Sequence, residues 1–295
     1  MKINEPKITI KLKESNKPIA LYDSISLAND SRLGNYNAKV IVNADDFGEN
    51  ESLNSAILTS FKLSLISSTT LLANRPGFEE ACVLAHQNNL VDSIGAHLNI
   101  TKGQPLTEEV KKYPKFYSKD EMYFSFKGHF LTGEEQRIIY NEFKAQIDKC
   151  KKAGINPSHI DTHHGMHNYW DIGKVIIQLA LKNNIPAIRL RVNCGRISKK
   201  GTARSNGFFN IRAKIYSDLN NYRLKRAGLA KTKYFCELHN VTPKLLAKNA
   251  FVEVNCHPYL DSDNVLVDVG GHGCLMDLEK RLLPLNHFIT YKSLH

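Results

Sequence analysis

Apolar residues along this chain follow two alternating rhythms. Short β-branched and apolar runs of five to nine residues form the first. They predict strands at Lys39–Ala44, Leu65–Ala73, Asp92–Ile100, Pro157–His163, Pro186–Val192, Phe251–His257 and His287–Tyr291. Segments with apolar positions at helical spacing lie between them. In Asn50–Leu63 the residues Leu53, Ile57, Leu58 and Phe61 share one face, which predicts an amphipathic helix. The same rhythm predicts helices over Gly77–Asn88, Gly133–Gly154, Trp170–Asn184, Thr242–Ala250 and Cys274–Leu285, with Gly154 as a C-cap.

Strand and helix alternate from residue 39 onward. That order is the signature of parallel β/α units, so the expected class is α/β: a distorted (β/α) barrel of largely parallel strands with a basic helical insertion. Residues 1–38 are polar and lack a core pattern. They are expected to form an N-terminal extension, and residues 39–295 a single barrel domain with the insertion at about 196–233.

In parallel β/α folds, working residues gather at the carboxyl ends of strands. Here the polar residues do fall at predicted strand ends. Asp45 and Asp46 end the first strand, His97 the third and His257 the Phe251–His257 strand. Asp161, His163, His164 and His167 follow the Pro157–His163 run, and Arg189 lies on the next. Five ionisable groups fall within residues 159–167, in the pattern His-X-Asp-X-His-His-X-X-His. A divalent cation is the economical partner for such a cluster, because imidazole and carboxylate are its usual ligands. Two adjacent carboxylates repel unless a cation is near. The Asp45–Asp46 doublet is therefore expected to supply one metal ligand and one general base from a single strand end.

Composition narrows the classes further. The 295 residues are 42% hydrophobic and 23% charged, enough for a full core. No apolar run is long enough to cross a membrane, and residues 1–15 carry no signal-peptide pattern. Six cysteines without a CxxC pair suit reduced thiols, and the expected location is cytoplasmic. The formal net charge is +11, but residues 189–233 hold 13 Lys/Arg and one acidic residue. The remainder has 27 basic and 28 acidic residues, a net of −1. The basicity thus belongs to one segment.

The motifs Val42–Gly48 (VNADDFG), Ser67–Asn74 (SSTTLLAN), Ile94–Leu106 (IGAHLNITKGQPL), His159–His167 (HIDTHHGMH) and Val252–Pro258 (VEVNCHP) occur in the order of one family. Together they resemble the YdjC-like carbohydrate deacetylases, the group that includes the chitooligosaccharide deacetylases. The resemblance covers residues 39 to about 292. It implies hydrolytic removal of acetyl groups from N-acetylated sugars, dependent on one divalent metal ion, magnesium or zinc. It places the metal ligands on Asp46, His97 and His163, the base on Asp45, and an acid or orienting group on His257. Asn99, Asp161, His164, His167 and Arg189 are then expected around the substrate. Where the family often has three consecutive histidines, this chain has His163-His164-Gly165. The resemblance also suggests a homodimer.

Within the basic segment, Phe209, Ile211, Ile215, Leu219, Tyr222 and Leu224 can share one broad helical face, opposite a cationic one. Such a helix either packs on the barrel or meets an anionic membrane or glycan through residues 196–233. Interleaved aromatics are lacking, so nucleic acid is not an expected partner. Two other readings use the same residues: a metal-dependent phosphoester or other hydrolase, and a non-catalytic glycan- or membrane-binding relative. Too few carboxylates surround the cluster for a two-metal phosphoesterase. Asp45 and Asp46 are too close together to flank a glycosidic bond.

Overall fold

A computed structural model describes residues 37–124, 130–190, 207–238, 241, 243–262, 265–269 and 288–294. Most of the N-terminal extension, the first part of the basic segment and the helix expected at Cys274–Leu285 lie outside these residues.

Six parallel strands form the main sheet: β1 (Lys39–Phe47), β2 (Ser68–Leu71), β3 (Ile94–Leu98), β6 (Ile160–Thr162), β7 (Tyr234–Glu237) and β8 (Phe251–Cys256). Their order is β6-β3-β2-β1-β8-β7. Two single parallel bridges, Ile160 to Ile188 and Ala187 to Ala230, carry the curl on from β6 towards the segment leading into β7. The result is the distorted barrel expected from the alternating pattern. Helices α1 (Glu51–Lys62), α2 (Phe78–Gln87), α4 (Gly133–Lys152), α5 (Trp170–Asn183) and α6 (Gly207–Arg226) connect the strands, with the short α3 (Glu108–Lys111) and α7 (Pro243–Leu246). Among the described residues, no helix is long and apolar enough to cross a membrane.

Local signals fix the helix ends. The Asn50 side chain accepts from the Leu53 N–H at the start of α1. Thr132 and Glu135 form a capping box on α4, and Gly154 follows its end at φ +79°.

Inside the ring the side chains stack in layers. Ile41, Ala187 and Tyr291 pack at the floor. The His159 ring lies against Gly95, where an added Cβ would sit 2.4 Å from it, so only glycine fits. Asp161, Arg189 and Glu253 lie above. The middle of this barrel is thus charged where many β/α barrels are apolar.

Three expectations differ from the structure. Pro186–Val192 was expected to be a strand, but of its described residues only Ala187 and Ile188 pair, each by a single bridge. His287–Tyr291 was expected to be a strand. Instead Ile289 makes one backbone bond to Val40 and the chain enters a 3₁₀ turn, Tyr291–Leu294, whose first residue plugs the floor. Of the face expected on α6, the side chains of Phe209 and Ile211 lie outside the described ones, and the other four do not pack together. Asn220 and Leu224 are buried, whereas Ile215, Leu219 and Tyr222 are exposed. Beyond β8, which ends at Cys256, Pro258 opens β9 (Pro258–Leu260), which pairs antiparallel with β10 (Leu266–Asp268). That hairpin has no clear alternation in the sequence. Nor has the two-residue pair β4 (Tyr117–Ser118) and β5 (Glu121–Met122).

Candidate functional site

Adjacent residues of a regular strand point to opposite faces. The Asp45–Asp46 doublet avoids this. The β1–β2 register shifts between Ala44 and Phe47, and Asp46 adopts φ +70°. This irregularity turns both carboxylates towards the barrel mouth, as bulges beside active sites do. Aspartate tolerates the left-handed conformation better than most residues.

Asp45 is locked from below. Arg189 Nη1 and Nη2 donate to its two oxygens, each at 2.7 Å, and the Asn43 amide donates at 2.9 Å. Burial would raise its pKa, but the guanidinium outweighs burial and holds the carboxyl well below the usual range. His257 Nε2 stands 3.8 Å from Asp45 Oδ2. Its backbone N–H donates to Asp268 Oδ1 at 2.7 Å, which fixes the turn after β8.

His97 is held at Nδ1 by Asp161 Oδ1 at 2.6 Å, with the Thr70 hydroxyl 3.1 Å away and donating to Asp161 Oδ2. The carboxylate keeps a proton on Nδ1, so Nε2 is the atom turned outward. Nε2 faces Asp46 Oδ1 at 3.2 Å. The geometry is off the line of a hydrogen bond, and Asp46 Oδ1 is buried without a hydrogen-bond partner among the described residues. Burial lowers the His97 pKa, but Asp161 and the nearby aspartates outweigh it and raise it to about 10. The position therefore attracts positive charge. Asp46 is lowered: burial opposes this, and His97 and His163 outweigh it.

His163 follows β6. Its Nδ1 lies 2.6 Å from Thr101 Oγ1. Thr101 reaches Asn99 Oδ1 at 3.2 Å, while the Asn99 amide donates to Asn74 Oδ1 and Lys102 O. Asn99 Oδ1 can only accept, so the Thr101 proton points at it and Thr101 accepts from His163 Nδ1–H. Nε2 of His163 then carries the lone pair. Burial and His97 push this imidazole down to about 3, so it is neutral. The His163 ring lies 5.9 Å from that of His97, edge to face.

The remaining expected residues separate by environment. His164 is exposed, at φ +55° before Gly165 at +65°. His167 is buried, with Nδ1 on Thr162 Oγ1 and Nε2 on Leu190 O. Asp161 and Arg189 are buried: Arg189 Nη1 lies 2.6 Å from Asp161 Oδ2, and Nε donates to Glu253 Oε1 at 2.6 Å. The sequence reading missed Thr70, Thr101, Glu253 and Tyr291. Glu253 did carry a signal, the one charge in β8, at the same parity as Asn255 and His257.

Metal-ligating types converge here. Asp45, His97 and Asp161 each place a ligand-capable atom within 4.8 Å of the others, a grouping consistent with a divalent cation. Arg189 already occupies the Asp45 and Asp161 oxygens, and a cation seated among them would meet a like charge. One layer higher, the orphaned Asp46 Oδ1 and the outward Nε2 of His97 lie free of the guanidinium. Those atoms fit a cation better.

Residues 39–281 match the family model described as YdjC-like protein. A carbohydrate deacetylase of Halalkalibacterium halodurans is 32% identical over 230 residues, covering 76% of this chain and 86% of that protein. One from Vibrio campbellii is 28% identical over 247 residues, covering 83% and 87%. One from Clostridium beijerinckii is 38% identical over 152 residues, which cover 50% of this chain and 58% of that protein. A solved Enterococcus faecalis structure, described for cellobiose-phosphate cleavage, shares the fold. Its TM-score is 0.61 at 23% identity, over 88% of this chain and 99% of that one.

Proposed function

Because this chain belongs to the YdjC-like family, we propose that it is a carbohydrate deacetylase, a hydrolase that removes acetyl groups from N-acetylated sugars with one divalent metal ion. Asp46, His97 and His163 would hold the ion. The observation that carries this reading is the pair Asp46 Oδ1 and His97 Nε2, 3.2 Å apart and not hydrogen-bonded. Two ligands of one cation face each other in this way. Behind them, Asp161 and Thr101 set the tautomers of His97 and His163.

The ion would polarise the amide carbonyl and acidify the attacking water, which a base as weak as Asp45 requires. Asp45 takes the water's proton. Arg189 keeps the carboxylate ionised and fixed in direction. His257, part-exposed and 3.8 Å from Asp45 Oδ2, would protonate the leaving amine. His164 is exposed at the mouth and is available to the sugar, while Asn99, Asp161, His167 and Arg189 shape the pocket from behind. One carboxylate and two imidazoles favour zinc or a similar transition ion over magnesium, which prefers oxygen ligands.

The substrate would be an N-acetylated oligosaccharide or glycolipid, and the location the cytoplasm. Exposed Ile215, Leu219 and Tyr222 on α6, with Lys225 and Arg226 also exposed, favour peripheral contact with an anionic membrane or glycan. A homodimer, by resemblance, completes the reading. Acetate release from N-acetylglucosamine oligomers tests the activity. Release by the wild type and none by Asp45→Asn supports it. No release from oligomers or from N-acetylglucosaminyl lipids refutes it.

A further inference from the structure

We propose that Tyr291 and Glu253 are positioning residues for Asp45, acting through the Arg189 guanidinium. The proposal rests on the reading of Asp45 as the base.

The four groups form one hydrogen-bonded chain through the barrel. The Tyr291 hydroxyl donates to Glu253 Oε2. Glu253 Oε1 accepts from Arg189 Nε at 2.6 Å. Arg189 Nη1 and Nη2 meet both oxygens of Asp45 at 2.7 Å. Each residue is almost wholly buried, so water does not compete along the line.

Rigidity is what the line transmits. A guanidinium is planar, and its Nε–H and Nη donors are fixed relative to one another. Fixing the Nε edge therefore fixes the plane in which the Nη edge holds Asp45. The Phe235 ring, 5.0 Å from Arg189 Cζ, supports the guanidinium on one face. Glu253 is anchored only if its second oxygen is. Without the phenol, Oε2 would be buried with no partner, and the carboxyl would have to turn or take a proton. Either response releases the Nε edge.

Tyr291 is itself anchored as a plug. Its ring stacks on His159 at 3.6 Å and 10°. The strand-end contacts Ile289 N–H to Val40 O and Ser67 Oγ–H to Ile289 O, at 2.9 and 2.8 Å, tie the turn to the floor. A segment some 250 residues from β1 thus sets the geometry of a carboxylate at the opposite end of that strand.

Tyr291→Phe keeps the stacked ring and removes only the hydroxyl. The test measures kcat, KM and bound metal, and records the Arg189 Nε–H resonance by NMR in the full chain. We expect kcat to fall about tenfold, with KM within about twofold, because small misplacements of a reacting group carry large rate penalties. Metal content stays unchanged, and the Arg189 resonance shifts and exchanges faster with water. Glu253→Gln keeps the shape and an acceptor for Nε–H, and should lose less activity than Glu253→Ala. A Tyr291→Phe protein with lowered melting temperature but unchanged kcat and Arg189 resonance would overturn the proposal, as would a fall in kcat without a change at Arg189. If the wild type releases no acetate, the deacetylase reading fails, and the Arg189 resonance in Tyr291→Phe decides the positioning claim alone.

Discussion

Thr101 Oγ1 lies 2.6 Å from His163 Nδ1 and donates its own hydrogen bond to Asn99 Oδ1. This contact selects the imidazole tautomer whose Nε2 can ligate. Thr101→Val preserves the side-chain shape and removes the acceptor. Metal affinity, measured by chelator competition, should fall about 10- to 100-fold, with the circular dichroism spectrum unchanged. Unchanged affinity would show that His163 is oriented otherwise or is not a ligand.

Arg189 balances Asp45, Asp161 and Glu253 in the buried middle layer. Arg189→Met leaves those carboxylates without their cation. Breaking a buried pair in this way costs about 3–5 kcal/mol. Urea denaturation should show a loss of that order, and Arg189→Lys should not restore stability, because an ammonium cannot satisfy three carboxylates in a planar fork. A loss below about 1 kcal/mol would contradict the account of this layer.

Stability should depend on pH in the acid range. Burial pushes His159 down to about 3 and His167 to about 4, so both are neutral in the folded protein. In the unfolded chain they titrate near ~6.5, so below that pH the unfolded state binds more protons. Their contribution is complete above ~6.5 and is lost as pH falls towards the folded values, by about 1.4 kcal/mol per pH unit for each. His159→Phe keeps a ring against Tyr291 and should flatten the acid slope. A wild-type urea midpoint that stays constant from about pH 7 to 5 would contradict this.

The exposed face of α6 predicts sedimentation with vesicles containing phosphatidylserine at low salt. Lys225→Glu with Arg226→Glu should abolish it, and Leu219→Ser should weaken it. Equal binding to neutral vesicles, or none to either, would remove the membrane from the proposed function.

Alternation of period made the β/α class legible from residues 39–189, since β-branched strands and amphipathic helices have distinct spacing. Strand-end placement likewise indicated that Asp45, Asp46, His97 and His163 would lie near one another, as they do. The carboxyl-terminal part was less legible. Tyr291 looked like a strand residue because aromatic and β-branched neighbours suit strands. Its role as a plug depends on His159 and Glu253, which are remote in sequence. The packed face of α6 escaped for a similar reason: Asn220 is buried while Leu219 is exposed, against their hydropathy. Thr101 was invisible as a tautomer-setting group, and Thr70 as a donor that holds Asp161, because a hydroxyl gains such a role only through the groups placed against it.

The ligand set carries the whole account, and metal content tests it most directly. Wild type, Asp45→Asn, Asp46→Ala and His163→Ala should be purified without chelator and analysed for bound metal beside acetate release. The account predicts near-stoichiometric metal in the wild type and in Asp45→Asn, little in Asp46→Ala or His163→Ala, and acetate release by the wild type alone. Folded Asp46→Ala and His163→Ala proteins that retain wild-type metal would contradict it.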